Sequence, residues 1–243
     1  MSLLKRALKT TVLLVVAILI GWGVQQWIYQ STADAIGCVE LVDSIPCVIN
    51  RAPAQCAQQI AASCAYIKRI AVIGNAGSGK STLADDLHKI LQLPEYHLDQ
   101  YCWQAGWVRT DDAECKAAHD ALCDRNEWII EGLLNFSLWK HRMDHAEMIV
   151  IISMGRLACL WRIIKRVILY YGVEMPASPA DCPGKIDRSF FELLKWSWNF
   201  APVYQAHVAD LIKTYGATKK IYVLDSQASI DVFIEAVARR TIR

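Results

Sequence analysis

The sequence predicts an α/β fold, a parallel sheet with helices packed on both faces. Short apolar runs alternate along the chain with longer segments of helical period, the pattern of strand–helix–strand units. The first of these runs, RIAVIG, closes on the glycine-rich stretch GNAGSGKST, which opens a helical pattern. Length agrees: 243 residues, 54% of them hydrophobic, suit one α/β domain with an appendage.

The elements follow in order from Lys68. RIAVIG is a short buried strand, and STLADDLHKILQL carries apolar residues at helical spacing. EYHLD, EWIIEG, AEMIVIIS and KKIYVLD are further strands, each bounded by polar or turn residues. The clearest later helices are RLACLWRIIKRVILYYG and DRSFFELLKWSWNFAPVYQAHVADLIKTYG. The second is expected to break or kink near Pro202. In the first, Arg162, Lys165 and Arg166 share one side, and Leu157, Leu160, Trp161, Ile164 and Ile168 form an apolar stripe turned away from the arginines. Between the two helices, GVEMPASPADCPG has the proline and glycine of a water-excluding lid, about residues 172–186.

Residues 1–30 are a separate matter. MSLLKRALK carries three cations, and TVLLVVAILIGWGVQQWIY has no charge. About 20 residues suffice to cross a bilayer, and Trp22, Trp27 and Tyr29 sit like interface anchors. A membrane anchor over residues 10–29 is the expectation. A signal segment ending near Ala33-Asp34-Ala35 and a buried or surface helix are the alternatives. Lys5, Arg6 and Lys9 precede the span and no cation follows until Arg51, which places the rest of the chain outside the cytoplasm. An ATP-using domain belongs inside, so the two inferences conflict. Single-pass attachment with the domain on the ATP side is the expected arrangement, a soluble cytoplasmic protein its alternative.

Residues 31–66 read as a linker. The nine cysteines form no CxxC pair and no Cys/His cluster of zinc spacing, so metal binding is not expected from them. Four of them (Cys38, Cys47, Cys56, Cys64) are either a disulfide framework or reduced, buried small residues. The net charge of +2 gives no global sign of a nucleic-acid binder.

The turn itself carries the strongest chemistry. Gly74, Asn75, Ala76, Gly77, Ser78, Gly79, Lys80 and Ser81 satisfy GxxxxGK[ST], with Thr82 following. Glycines let backbone N–H groups wrap phosphate oxygens, and the helix that follows points its positive end at them. Lys80 would reach the β- and γ-phosphates of ATP, and the Ser81 hydroxyl would join the shell of Mg²⁺. Asp99 ends the second strand, at the carboxyl edge where α/β ligands bind, and is placed to orient an acceptor hydroxyl or take its proton. Trp103 and Trp107 either stack on a planar acceptor or belong to the core. Glu131, ending EWIIEG, is placed to hold Mg²⁺ through water or to bind the acceptor.

LPEYHLDQYCWQAGW, EWIIEG, RMDHAEMIVII, CLWRIIKRVILYYG and CPGKIDRSFFELLKWSWNF occur in that order. Together they resemble the topology modulation protein (FlaR-like) family of small P-loop kinases, related to adenylate and shikimate kinases. The resemblance covers about residue 68 to the C-terminus. It implies a five-stranded parallel sheet, an acceptor region after the second strand and a mobile lid. It also implies an arginine at Arg142 gripping the acceptor's anion and a metal or acceptor role for Glu131, where related nucleotide kinases carry aspartate. Arg162 and Arg166, just before the lid-like segment, are placed to neutralise the transferring group. The chain departs from the family pattern at Leu133, where an asparagine is usual, before Cys182-Pro183, where an Arg-Pro-Asp stretch is usual, and in residues 1–66.

The expected function is transfer of the γ-phosphoryl group of ATP–Mg²⁺ to a small acceptor: a nucleotide, nucleoside or hydroxylated metabolite. The alternative is a nucleotide-binding regulator, acting on DNA or a partner with little turnover.

Overall fold

The computed structural model describes Ile60, residues 67–133 and residues 136–240. The expected membrane span, the linker apart from Ile60, and Cys38, Cys47, Cys56 and Cys64 lie outside the described residues; Ile60 itself is wholly buried in the core. Among those that are described, no helix is long and apolar enough to cross a membrane.

Five strands form the sheet: β1 (Arg69–Gly74), β2 (Glu95–His97), β5 (Trp128–Glu131), β6 (Met148–Ile152) and β7 (Lys220–Leu224). Their order is β2-β5-β1-β6-β7, and every neighbouring pair is parallel. A parallel strand needs a crossover and ends up covered on both faces, which is why β1, β5 and β6 read as unbroken apolar runs. On one face Ile70, Val72, Met148 and Val150 pack with Leu83 and Leu87 of α1 (Lys80–Leu91) and with Phe233 and Val237 of α7 (Gln227–Arg240). On the other, α3 (Asp112–Cys123) packs on β5 and α4 (Trp139–His145) on β1. Trp128 at the start of β5 is wholly buried, and its Nε1 donates to the Cys123 carbonyl at 3.2 Å.

Local signals set the helix starts. The Asp111 carboxylate accepts from the backbone N–H groups of Ala113 and Glu114 at the head of α3. Asp187 does the same for Ser189 and Phe190 at the head of α6 (Arg188–Tyr215). That helix is a single run of 28 residues, uninterrupted at Pro202 where a break was expected. The helix α5 (Arg156–Leu169) also departs from expectation. It buries Cys159, Ile163 and Val167, whereas Leu157 and Trp161 of the expected apolar stripe are exposed. Helical period locates an apolar stripe only to within one residue row, and the row of Cys159 and Ile163 is the one that meets the glycine-rich turn.

A short helix α2 (Asp99–Cys102) and a two-stranded ribbon, β3 (Trp103–Gln104) with β4 (Val108–Arg109), follow β2. A disulfide joins Cys102 to Cys115, fastening α2 to α3.

Candidate active site

β1 delivers the chain to the carboxyl edge of the sheet at Gly74, and α1 leaves it at Lys80. Gly77 and Gly79 adopt φ of 73° and 102°, left-handed backbone that strains any side chain. A Cβ on Gly77 would stand 2.3 Å from the Cys159 carbonyl oxygen, so the turn can lie against α5 only with glycine there. The buried Asn75 amide donates to the Ser197 carbonyl on α6 at 2.9 Å, and its Oδ1 accepts from Ala76 N–H at 2.8 Å. Ser78 N–H donates to the Asn75 carbonyl at 3.1 Å. The turn is therefore pinned to two helices, with the positive end of α1 at its mouth.

Beside it lies a cleft of about 520 Å³, lined among others by Lys80, Ser81, Thr82, Arg162, Arg166 and Ala177. Lys80 Nζ rests 3.4 Å from the Asn75 carbonyl oxygen. The Arg162 guanidinium donates to the Ser78 carbonyl at 2.8 Å and to Gln227 Oε1 at 3.1 Å, so it clamps the turn as well as facing the cleft. Arg166, four residues on, faces the same space, whereas Lys165 is exposed outside it. Met175 and Cys182, within the expected lid segment, are buried; Ala177 from the same segment reaches the cleft.

Ser81 Oγ donates to Glu131 Oε1 at 3.1 Å. That buried carboxylate also meets His97 Nδ1 at 2.8 Å, and His97 Nε2 meets Glu95 Oε1 at 2.5 Å. His97 and Glu131 are register partners across β2 and β5, which is why the ring and the carboxylate adjoin. Burial works against charge on both. For His97 the Glu131 hydrogen bond and charge outweigh burial and raise the pKa; for Glu131 the His97 hydrogen bond and the Lys80 charge outweigh it and lower the pKa. Glu95 Oε2 is buried without a hydrogen-bond partner, and Glu95 lines the cleft. An unsatisfied carboxylate oxygen beside Ser81 and Glu131 suits a hard divalent cation such as Mg²⁺. The sequence reading missed Glu95 and His97. The signal was the two-residue strand period, which sets both on one face of β2, next to Glu131.

Asp99 opens α2, two residues past the strand it was expected to end. It is an exposed residue whose carboxyl group has several charged neighbours. Desolvation first, then the Glu131 charge, raise its pKa against the pull of Lys80, Arg166 and His97. Trp103 and Trp107 meet edge to face, ring centroids 6.1 Å apart, and Arg109 lies over Trp103 at 5.8 Å. Trp107 is fixed to the lid segment: its Nε1 donates to the Pro183 carbonyl at 3.0 Å, and its backbone N–H reaches Cys182 Sγ at 3.4 Å. Gly106 N–H donates to the Asp181 carbonyl at 2.9 Å, so the ribbon and the lid segment are docked together.

Arg142 is not at the cleft surface. It is wholly buried, with Nη1 donating to the Gly132 carbonyl at 2.9 Å and Nε and Nη2 without partners. Burial lowers its pKa to about 10. The expected grip on an acceptor anion is replaced here by support of the chain just after Glu131, because α4 turns this side chain into the interior.

A second depression, about 600 Å³, lies at the amino-terminal edge of the sheet. Four of its charges are paired, Lys68 with Glu127 at 2.9 Å and Arg69 with Glu147 at 3.0 Å, and Arg125 beside them donates to Tyr96. Ligands of open α/β sheets bind at the carboxyl edge instead.

No family model and no curated protein matches the chain. Among solved structures it is similar to a shikimate kinase from Bacteroides thetaiotaomicron, with 13% identity and a TM-score of 0.43, covering 72% of this chain and 98% of that one. A gluconokinase from Sinorhizobium meliloti shows 17% identity and a TM-score of 0.42, over 73% and 95%. A deoxyadenosine kinase from M. mycoides shows 15% and 0.37, over 72% and 100%.

Proposed function

We propose that the cleft transfers the γ-phosphoryl group of ATP–Mg²⁺ to a small acceptor, a nucleotide, nucleoside or hydroxylated metabolite. The resemblance of residues 68–243 to the topology modulation protein family supports the same reading. The observation that carries it is convergence: the glycine turn, Lys80, Ser81, Arg162 and Arg166 surround one cleft at the carboxyl edge of the sheet.

Phosphoryl transfer asks mainly for positioning and for neutralisation of spread negative charge. The turn's backbone N–H groups and the start of α1 would hold the donor phosphates. Lys80 would leave the Asn75 carbonyl to meet them, and Arg162 and Arg166 would neutralise the transferring group from the other wall. Ser81 and Glu131 would hold Mg²⁺, which supplies further charge neutralisation when bound. Asp99 would take or orient the acceptor hydroxyl, its raised pKa bringing it nearer working pH than an ordinary aspartate. The docked ribbon and lid, with Trp103 and Trp107, would close the acceptor side against water.

A phosphotransfer screen tests this: the protein with ATP–Mg²⁺ against nucleotides, nucleosides and small hydroxylated metabolites. Acceptor-dependent ADP release, lost in Lys80→Ala, is the expected result. Tight ATP binding with no acceptor turned over, and an ATP-dependent change in affinity for DNA, would move the protein to the regulator class.

A further inference from the structure

Away from the cleft, the end of α3 and one side of α4 bring together three groups that the phosphoryl chemistry does not use. His141 and His145 are four residues apart on α4, so their rings stand on the same side of the helix. Asp124 caps the C-terminal end of α3 opposite them. Asp124 Oδ1 lies 3.5 Å from His141 Nε2 and 3.6 Å from His145 Nε2. Ligand atoms of all three lie within 4.8 Å of one another.

We propose that Asp124, His141 and His145 form a binding site for one divalent transition ion of the zinc class, clasping the end of α3 to α4.

Three features support a metal rather than a surface ion pair. The first is spacing. A tetrahedral ion with ligands at about 2.0–2.1 Å separates its ligand atoms by about 3.3–3.4 Å. Two edges of the triangle, 3.5 and 3.6 Å, are near that already, and the third is no longer than 4.8 Å. The second is the tautomer. His145 Nδ1 stands 2.8 Å from the His141 carbonyl oxygen, which can only accept, so Nδ1 carries the hydrogen. In the neutral ring that leaves the Nε2 lone pair facing Asp124, the orienting contact that metal-bound histidines commonly have. The third is an unmet need. His141 Nε2 is buried from water and makes no hydrogen bond, although two carboxylates stand within 4 Å of it. An ion between these atoms would satisfy it. The ring centroids of His141 and His145 are 4.4 Å apart, so both rings are close enough to share one cation.

Asp120 Oδ1, 3.9 Å from His141 Nε2, is within reach as a fourth ligand, though Lys116 and His119 already engage that carboxylate. Two imidazoles with carboxylate oxygen suit Zn²⁺ and its neighbours, while Mg²⁺ and Ca²⁺ take oxygen alone. Arg142 lies on the same helix and within electrostatic reach of His119 and Cys123 on α3. The clasp would therefore steady the helix that supports the Gly132 carbonyl.

The test uses the tag-free full chain with excess ATP–Mg²⁺ to occupy the cleft, and Co²⁺ as the spectroscopic probe for Zn²⁺. One Co²⁺ per chain is expected, with the visible bands of a tetrahedral nitrogen–oxygen site, displaced by Zn²⁺. Zn²⁺ should also raise Tm. Both effects should vanish in the His141→Ala/His145→Ala double variant and weaken at least tenfold in Asp124→Asn. ATP affinity should be unchanged in both variants, and the exposed Asp124 substitution keeps the test valid if the double variant fails to fold. Wild-type Co²⁺ affinity in Asp124→Asn would overturn the proposal. So would a spectrum dominated by sulfur-to-cobalt charge transfer, which would assign the ion to cysteines, or the absence of binding.

Discussion

The proposed donor wall and the proposed acceptor wall are built on different principles. The donor wall is a backbone structure: six residues of turn, held by glycine φ values and by the start of α1, with Lys80 and Ser81 following directly in the chain. The acceptor wall is a side-chain structure assembled from α2, the β3–β4 ribbon and the lid segment, elements far apart in sequence. A backbone site is specified by a contiguous motif, because the same residues that make the turn also make the binding groups. A side-chain site depends on the direction in which each element faces after packing. Arg142 shows the difference: its place in the sequence matches that of an acceptor-gripping arginine, and its helix turns it wholly inward.

Four substitutions break or sharpen that contrast. Lys80→Ala strikes the donor wall. It should leave the far-ultraviolet circular dichroism unchanged and lower kcat by about 10²–10³-fold, the range for removing one group that stabilises the transition-state charge. Equal turnover in a folded variant would remove the glycine turn from the chemistry.

Asp99→Asn strikes the acceptor wall, and its effects on rate and stability should run in opposite directions. Its folded pKa is raised, so between the unfolded and folded values the native state binds more protons, and stability falls as pH rises through that window. Above the window the ionised carboxylate is a standing cost. The amide should therefore keep or raise Tm at neutral pH while kcat drops on the order of 10²-fold. The acid limb of the kcat–pH profile, displaced upward from the ordinary aspartate range in the wild type, should disappear. A variant that loses stability and keeps its limb would show Asp99 to be only a helix-end residue.

Arg142→Met separates the two walls from the interior. The substitution gives up one hydrogen bond to Gly132 and removes a buried charge with two unpaired N–H sites. Unfolding in urea should show stability held or raised by on the order of 1 kcal/mol. The KM values for ATP and acceptor should each change by less than about twofold. A tenfold rise in the acceptor KM alone would return Arg142 to the acceptor site.

Trp107→Phe is the mildest. It removes the Nε1 bond to the Pro183 carbonyl and leaves most of the ring contact with Trp103, a loss of about 1 kcal/mol in lid docking. Hydrogen exchange in residues 172–186 should quicken several-fold while global stability barely moves. Unchanged exchange would mean that the Cys182 contacts and the Gly106–Asp181 hydrogen bond hold the segment without it.

The sequence by itself determined the strand–helix alternation, the parallel sheet and the glycine-rich turn at the end of the first strand. Buried parallel strands are apolar throughout and glycine turns are contiguous, so both are visible in one dimension. The tertiary structure decided what depends on facing. It set the row of Cys159 and Ile163, not Trp161, against the glycine turn, where the missing side chain of Gly77 allows the helix backbone to approach. It placed His97 beside Glu131 through the register of β2 on β5, a pairing between residues 34 apart that no local pattern encodes. It also brought Asp124 to His141 and His145, because the end of one helix lies against the flank of another. Side-chain direction follows from packing between distant elements, and that information exists only once the chain has folded.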